Sequence, residues 1–339
     1  MTFQGLFVSF LLFCVSYSAS AQAPVAYSKK NLKQRLLLQV SYKREGGQQD
    51  FMNTRSRIVE FERDGQSLRM LEDARDAPSP HVLATIPIRG ETACALLVDF
   101  NAGFDKLFKE EDRTGEDYYG RVDTRDYSFF PLLHRTMLSV SRVGSMLVLT
   151  QQALTEPHEP VIVYYYLSPY RANPNFTPLE IKNLDRFGFY ETYPERGSRR
   201  TVLYAMKFDH GKPIVFALSS GIPAQYRAAV RDGVRYWNKA LGVSLLQVID
   251  APDGVTAPNP RYNVIQWETN GAFASTSHIQ GDPLTGEILH AQIFIPSSTV
   301  DEGSLTDRSD HLRYVVAHEV GHALGLRHNF ATGPAKSTP

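Results

Sequence analysis

The sequence predicts an α+β protein: a β-rich N-terminal domain, then a mixed twisted sheet carrying two helices. Three observations predict it. Short runs alternating apolar and polar residues crowd the first half of the chain, and that is the period of half-buried strands. Beyond residue 212 the pattern becomes strand, long helix, strand, an order that calls for a right-handed crossover and a mixed sheet. Close to the end, an amphipathic helix carries His318 and His322, with His328 just beyond.

Size and charge set the bounds. At 339 residues, with 42% hydrophobic residues, the chain suggests two domains with packed cores. Lys+Arg and Asp+Glu are both 36, so no charge excess favours nucleic acid or an anionic membrane surface.

Residues 1–21 read as a signal peptide. Residues 6–15 (LFVSFLLFCV) form an apolar run too short to span a bilayer, followed by Ala19-Ser20-Ala21, a small-x-small cleavage pattern. No Lys or Arg precedes the run. The expectation is export to the periplasm or the extracellular space, with no integral membrane span in the mature chain. The alternative is an uncleaved N-terminal anchor. Cleavage leaves Cys94 as the one cysteine, which excludes an intrachain disulfide and a Cys-based zinc finger. Its apolar surroundings predict a buried thiol.

Residues 22–169 form the predicted β-rich domain. Strand-like runs at 36–42, 57–61, 81–88, 95–100, 137–140, 145–150 and 161–167 are separated by turns such as Asp64-Gly65, Arg89-Gly90 and Gly144. Short strands so closely spaced suggest an antiparallel sandwich or barrel-like domain. Tyr164, Tyr165 and Tyr166 fit a sheet face. His134 and His158 have no partner spacing and read as structural.

Residues 170–212 contain Pro174, Pro178 and Pro194, the mark of an ordered but irregular linker. The last region is 213–339. Residues 213–218 (PIVFAL) suit a buried strand. Pro223 opens a helix whose stripe is Tyr226, Val230, Val234, Trp237 and Leu241, ended by Gly242. Residues 243–249 and 262–268 are the next strands. Residues 274–279 and 289–295 flank Asp282-Pro283-Leu284-Thr285-Gly286 as a hairpin. His278 and His290 lie on it without a second ligand at fixed spacing and read as structural. Residues 306–310 offer N-caps for the last helix.

That helix carries the chemistry. Residues 318–328 read H-E-x-x-H-x-x-G-x-x-H. Positions four apart share a helix face, so His318 and His322 can aim at one point. Glu319 sits one residue round the helix, placed to take a proton from a metal-activated water rather than to ligate. A continuing helix would carry His328 to another face. Gly325 adopts the left-handed conformation cheaply, ends the helix and lets His328 return. Three histidines leave one tetrahedral position open, the arrangement of a catalytic zinc.

With residues 213–241, 262–267 (YNVIQW), 282–288 (DPLTGEI) and 317–330 (AHEVGHALGLRHNF), this motif resembles the metzincin clan of zinc metalloproteases. It is similar in particular to large exported bacterial members with a β-rich N-terminal domain. The resemblance implies that residues 213–339 are the N-terminal half of a catalytic domain and that the chain is a zinc-dependent endopeptidase holding one catalytic Zn2+. It implies that Gly271, Ala272, Phe273, Ala274, Ser275 and Thr276 bind an extended peptide or protein substrate through main-chain hydrogen bonds at a sheet edge. Calcium is left open. Metzincins place a methionine-containing turn after the third histidine. The methionines here, Met1, Met52, Met70, Met137, Met146 and Met206, all precede His318. The expectation is therefore a domain lacking its C-terminal part and the Met-turn, and the alternative is a truncated, catalytically inactive zinc- or peptide-binding relative.

Overall fold

The computed structural model describes residues 24–44, 51–72, 81–108, 129–156, 158–182, 188–192, 202–269, 275–301 and 303–328. The signal-peptide segment 1–21 and residues 271–274 lie outside them. Strands β1 (Val25–Ser28), β2 (Leu36–Arg44), β3 (Phe51–Asn53), β4 (Arg57–Asp64), β5 (Ser67–Glu72), β6 (His81–Glu91) and β7 (Ala95–Val98) precede a single-turn helix, α1 (Phe100–Gly103). A small pair follows, β8 (Lys106–Phe108) and β9 (Phe129–Pro131), then the long strands β10 (Leu133–Val143), β11 (Met146–Leu154) and β12 (Pro160–Pro169).

Ten of these strands make one antiparallel sheet in the order β1-β7-β6-β5-β4-β2-β12-β11-β10, with β3 on β2. Alternation decides which face is buried. On β11, Leu147, Leu149 and Ala153 point in; on β12, Val161, Val163, Tyr165 and Leu167 do. Phe61, Leu68, Ile86, Leu96 and Phe100 join the same core, so the sheet curls round a single interior. Arg57 and Glu72 form a buried bidentate pair across β4 and β5, both contacts at 3.0 Å. The expectation for Cys94 is overturned: it is exposed. The apolar run begins at Ala93 but the strand only at Ala95, which leaves Cys94 in the β6–β7 turn.

The middle region is more regular than its prolines suggest. Strands β13 (Leu179–Glu180), β14 (Glu191–Thr192) and β15 (Tyr204–Ala205) pair in the order β13-β15-β14. Two-residue strands are too short to show a period, so only their distant partners reveal them.

The last region holds β16 (Ile214–Leu218), α2 (Arg227–Leu241), β17 (Leu246–Asp250), β18 (Asn263–Glu268), β19 (Thr276–Gly281), β20 (Ile288–Pro296) and α3 (Leu305–Ala323). Its sheet runs β17-β16-β18-β20-β19. The first four strands are parallel, and β19 is the antiparallel edge. Phe216, Val230, Val234, Ile265, Ile293, Leu312, Val316 and Val320 pack between sheet and helices. The helices cross closely at Gly233, where an added Cβ would stand 2.8 Å from both Val316 and the Arg313 carbonyl. One turn on, Trp237 Nε1 donates to the Ala317 carbonyl at 2.7 Å. Leu241, assigned to the buried stripe from sequence, is instead 57% exposed. It lies a turn past the crossing, where α3 no longer covers α2.

The two cores meet through polar contacts on the outer face of the large sheet. Gln39 Nε2 lies 3.2 Å from His290 Nε2. Gln280 Nε2 donates to the Val40 carbonyl at 3.0 Å, and Tyr166 Oη to the Pro258 carbonyl at 3.2 Å. Among the described residues no helix is long and apolar enough to cross a membrane.

Candidate metal centre

Helix α3 starts earlier than its first cap candidate suggested. Ser304 is the N-cap: its hydroxyl accepts from the Asp307 amide at 3.2 Å, and the Asp307 carboxylate accepts from the Ser304 amide at 3.2 Å. This is a capping box with Asp in the distal position. It outcompetes Thr306, which lacks an acid three residues on. The hydrogen bond from the Ser304 hydroxyl holds the Asp307 carboxyl below its ordinary range.

Leu312, Val316, Val320 and Ala323 lock the inner face of α3 into the core. His318 and His322 occupy the outer face. The helix ends in a Schellman motif: the Gly325 amide donates to the His322 carbonyl at 2.9 Å, and the Leu326 amide to the Gly321 carbonyl at 3.0 Å. Gly325 has φ 99°, a conformation that residues with a Cβ rarely adopt. This turn reverses the chain and brings His328 back over the helix.

The three Nε2 atoms converge. His318 and His322 are 3.0 Å apart, His322 and His328 3.1 Å, His318 and His328 3.2 Å. His322 Nδ1 stands 2.7 Å from the Leu326 carbonyl oxygen. A carbonyl can only accept, so Nδ1 carries the proton and the lone pair is on Nε2, facing its two neighbours. Three nitrogens about 2.0–2.1 Å from one tetrahedral ion would stand roughly 3.3–3.4 Å apart. The residues fit a zinc ion: the donors are imidazoles, the spacing is close to tetrahedral, and one ligand already has its far nitrogen anchored. Burial, then the charge of neighbouring histidines, lowers the pKa of His318 and His322, which favours the neutral, ligating form. Among the described residues this is the one group of three such side chains that could hold an ion. His278, His290 and His311 are outside it.

Glu319 faces inward and is 5% exposed. Burial pushes its carboxyl up to about 7. Among the described residues its Oε2 has no hydrogen-bond partner. It follows His318 in the chain and is not a member of the imidazole cluster. Of the candidate substrate-binding residues, Ser275 is half-buried and Thr276 exposed at the start of edge strand β19, opposite Phe294.

Sequence spacing missed a second layer. Residues 188–192 lie along the loop that bears His328. The Tyr190 amide donates to the Gly325 carbonyl at 2.7 Å and the Arg327 amide to the Gly188 carbonyl at 2.6 Å. Phe189 and Leu326 form an antiparallel bridge. Arg327 reaches Glu191 at 3.1 Å across 136 residues of sequence. No local pattern could pair positions so distant.

A family model described as Met-zincin matches residues 307–338, the segment of α3 and the three-histidine motif. No curated protein and no solved structure matches the chain. The chain is metzincin-like in this segment.

Proposed function

We propose that this metzincin-like chain is a zinc-dependent endopeptidase. One observation carries the reading: three imidazole Nε2 atoms within 3.0–3.2 Å of one another, two of them on the helix that also bears the buried Glu319. Imidazoles so placed repel one another's lone pairs unless a cation sits among them. When bound, zinc supplies a Lewis acid that polarises the scissile carbonyl and makes water acidic near neutral pH. His318, His322 and His328 hold it and leave one side open. Glu319 takes the proton of the attacking water and delivers it to the leaving amine. Burial raises the proton affinity of this carboxyl, which supports its taking the proton. Among the described residues β19 is an edge strand that pairs, antiparallel, with β20 alone, and its N-terminal end at Thr276 is exposed, which supports binding of an extended peptide there by strand addition. In this reading Ser275 and Thr276, with residues 271–274, meet the substrate backbone, and the chain acts after export.

The test is Glu319→Gln. The variant keeps its zinc, measured by elemental analysis, and loses casein or gelatin cleavage by roughly 10²–10⁴-fold. Cleavage at the parental rate removes Glu319 from the mechanism.

A further inference from the structure

We propose that the upstream segment 188–192 is a working part of the metal centre, with Glu191 and Tyr190 as positioning residues for His322 and His328. The inference rests on the zinc reading above and adds a layer that the motif does not contain.

The argument runs from the ligands outward. His322 is oriented by its Nδ1 hydrogen bond to the Leu326 carbonyl, at 2.7 Å. That carbonyl belongs to a loop, and a loop carbonyl orients an imidazole only if it is itself held still. Residues 188–192 do the holding. Phe189 bridges Leu326, and the flanking amide-to-carbonyl bonds, Tyr190 to Gly325 and Arg327 to Gly188, are both short. From the far side, the Met206 amide donates to the Tyr190 carbonyl at 2.7 Å. The Met206 carbonyl packs so tightly under Gly325 that any Cβ there would meet it.

Side chains complete the clamp. Glu191 is 8% exposed, and it takes Arg327 at 3.1 Å. Arg327 immediately precedes His328, so this pair fixes the backbone from which the third ligand projects. The Arg327 guanidinium also lies 5.3 Å from the Tyr190 ring centre. Tyr190 in turn meets the His322 ring edge-on, with centroids 6.4 Å apart. One short segment, 188–192, thus touches the loop of the third ligand by main chain, by ion pair and by ring, and touches the second ligand by ring. A shielded ion pair with a planar guanidinium holds direction as well as distance. A segment used only as a linker would need none of this.

The experiment measures zinc affinity of the full chain by competition with a chromophoric chelator, beside the visible spectrum of the cobalt-substituted protein. Glu191→Gln is expected to weaken zinc binding about 10–100-fold and to alter the cobalt absorption, with the thermal midpoint of the metal-free protein unchanged. The exchanged pair Glu191→Arg with Arg327→Glu is expected to recover at least part of that affinity. Should Glu191→Gln fail to fold, Arg327→Lys, which keeps the charge but loses the planar fork, is read the same way. Affinity and cobalt spectrum unchanged in the folded variant overturn the proposal. Failure of the unmodified chain to bind zinc overturns the zinc reading itself, a result distinct from any difference between variants.

Discussion

The β19–β20 hairpin and the end of α3 hold the same side chain in opposite ways. On the hairpin, His290 is 3% exposed, lies between Gln39 and Gln292, and burial pushes it down to about 4. His278 is pushed down to about 4 by the same cause. Its Nε2 is shielded with no hydrogen-bond partner among the described residues, and its ring meets Phe294 edge-on. At the end of α3, His318 and His328 are exposed and His322 half-buried, yet their Nε2 atoms meet within 3.2 Å. Burial alone makes an imidazole neutral and inert. Convergence, with one face left to solvent, makes it a ligand. His290 serves the seam between the two cores, His278 is shielded against Phe294, and the histidines at the end of α3 lie on the open face.

The strongest way to break this contrast is His322→Ala. Zinc content measured by elemental analysis should fall from about one per chain to near none, because two imidazoles leave a tetrahedral ion underligated. His290→Ala should leave zinc content unchanged. If His290→Ala lost zinc as His322→Ala does, the division of roles would fail.

Next comes the turn that creates convergence. Gly325→Ala forces a Cβ against the Met206 carbonyl at a φ of 99°. The expected cost is about 4 kcal/mol, combining backbone strain and overpacking, read as a lower urea midpoint together with lost zinc. A variant as stable as the parent would show that the turn relaxes freely.

The hairpin yields a pH signature. An unfolded histidine takes up a proton near 6.5, whereas folded His290 does so only near 4. Between those values the unfolded chain binds more protons, so stability is fully present above 6.5 and falls as pH drops towards 4. His290 contributes about 3 kcal/mol of that fall. Urea midpoints from pH 7 to 4 should therefore show a shallower decline for His290→Gln, whose amide does not titrate. Parallel curves for the two proteins would sink the assignment.

The smallest expected effect is at the far end of α3. Ser304→Ala removes one side of the capping box and should cost about 1 kcal/mol, seen as a small drop in thermal midpoint. Zinc affinity should hold, because packing at Leu312, Val316 and Val320 fixes the helix near its ligands.

Much of the site was legible because its chemistry is local. His318, Glu319, His322, Gly325 and His328 lie within three helical turns, so helical period and glycine conformation suffice to relate them. The strands of the first domain were legible as strands for a similar reason, since alternation is a property of neighbours. The single curled core was not, because it depends on β2 pairing with β12 and β1 with β7, contacts that alternation does not specify. Cys94 and Leu241 were misjudged for one cause: an apolar neighbourhood in sequence does not say where the covering element stops. The clamp by residues 188–192 left no trace in the sequence, because Glu191 and Arg327 meet across 136 positions and neither belongs to a pattern. By itself, the sequence determined which atoms meet within one helix and its turn, where covalent spacing limits the geometry. Tertiary structure alone decided which histidines were sealed into a seam, which were left open, and what holds the third ligand in place. Burial and long-range pairing are set by the folded surface as a whole.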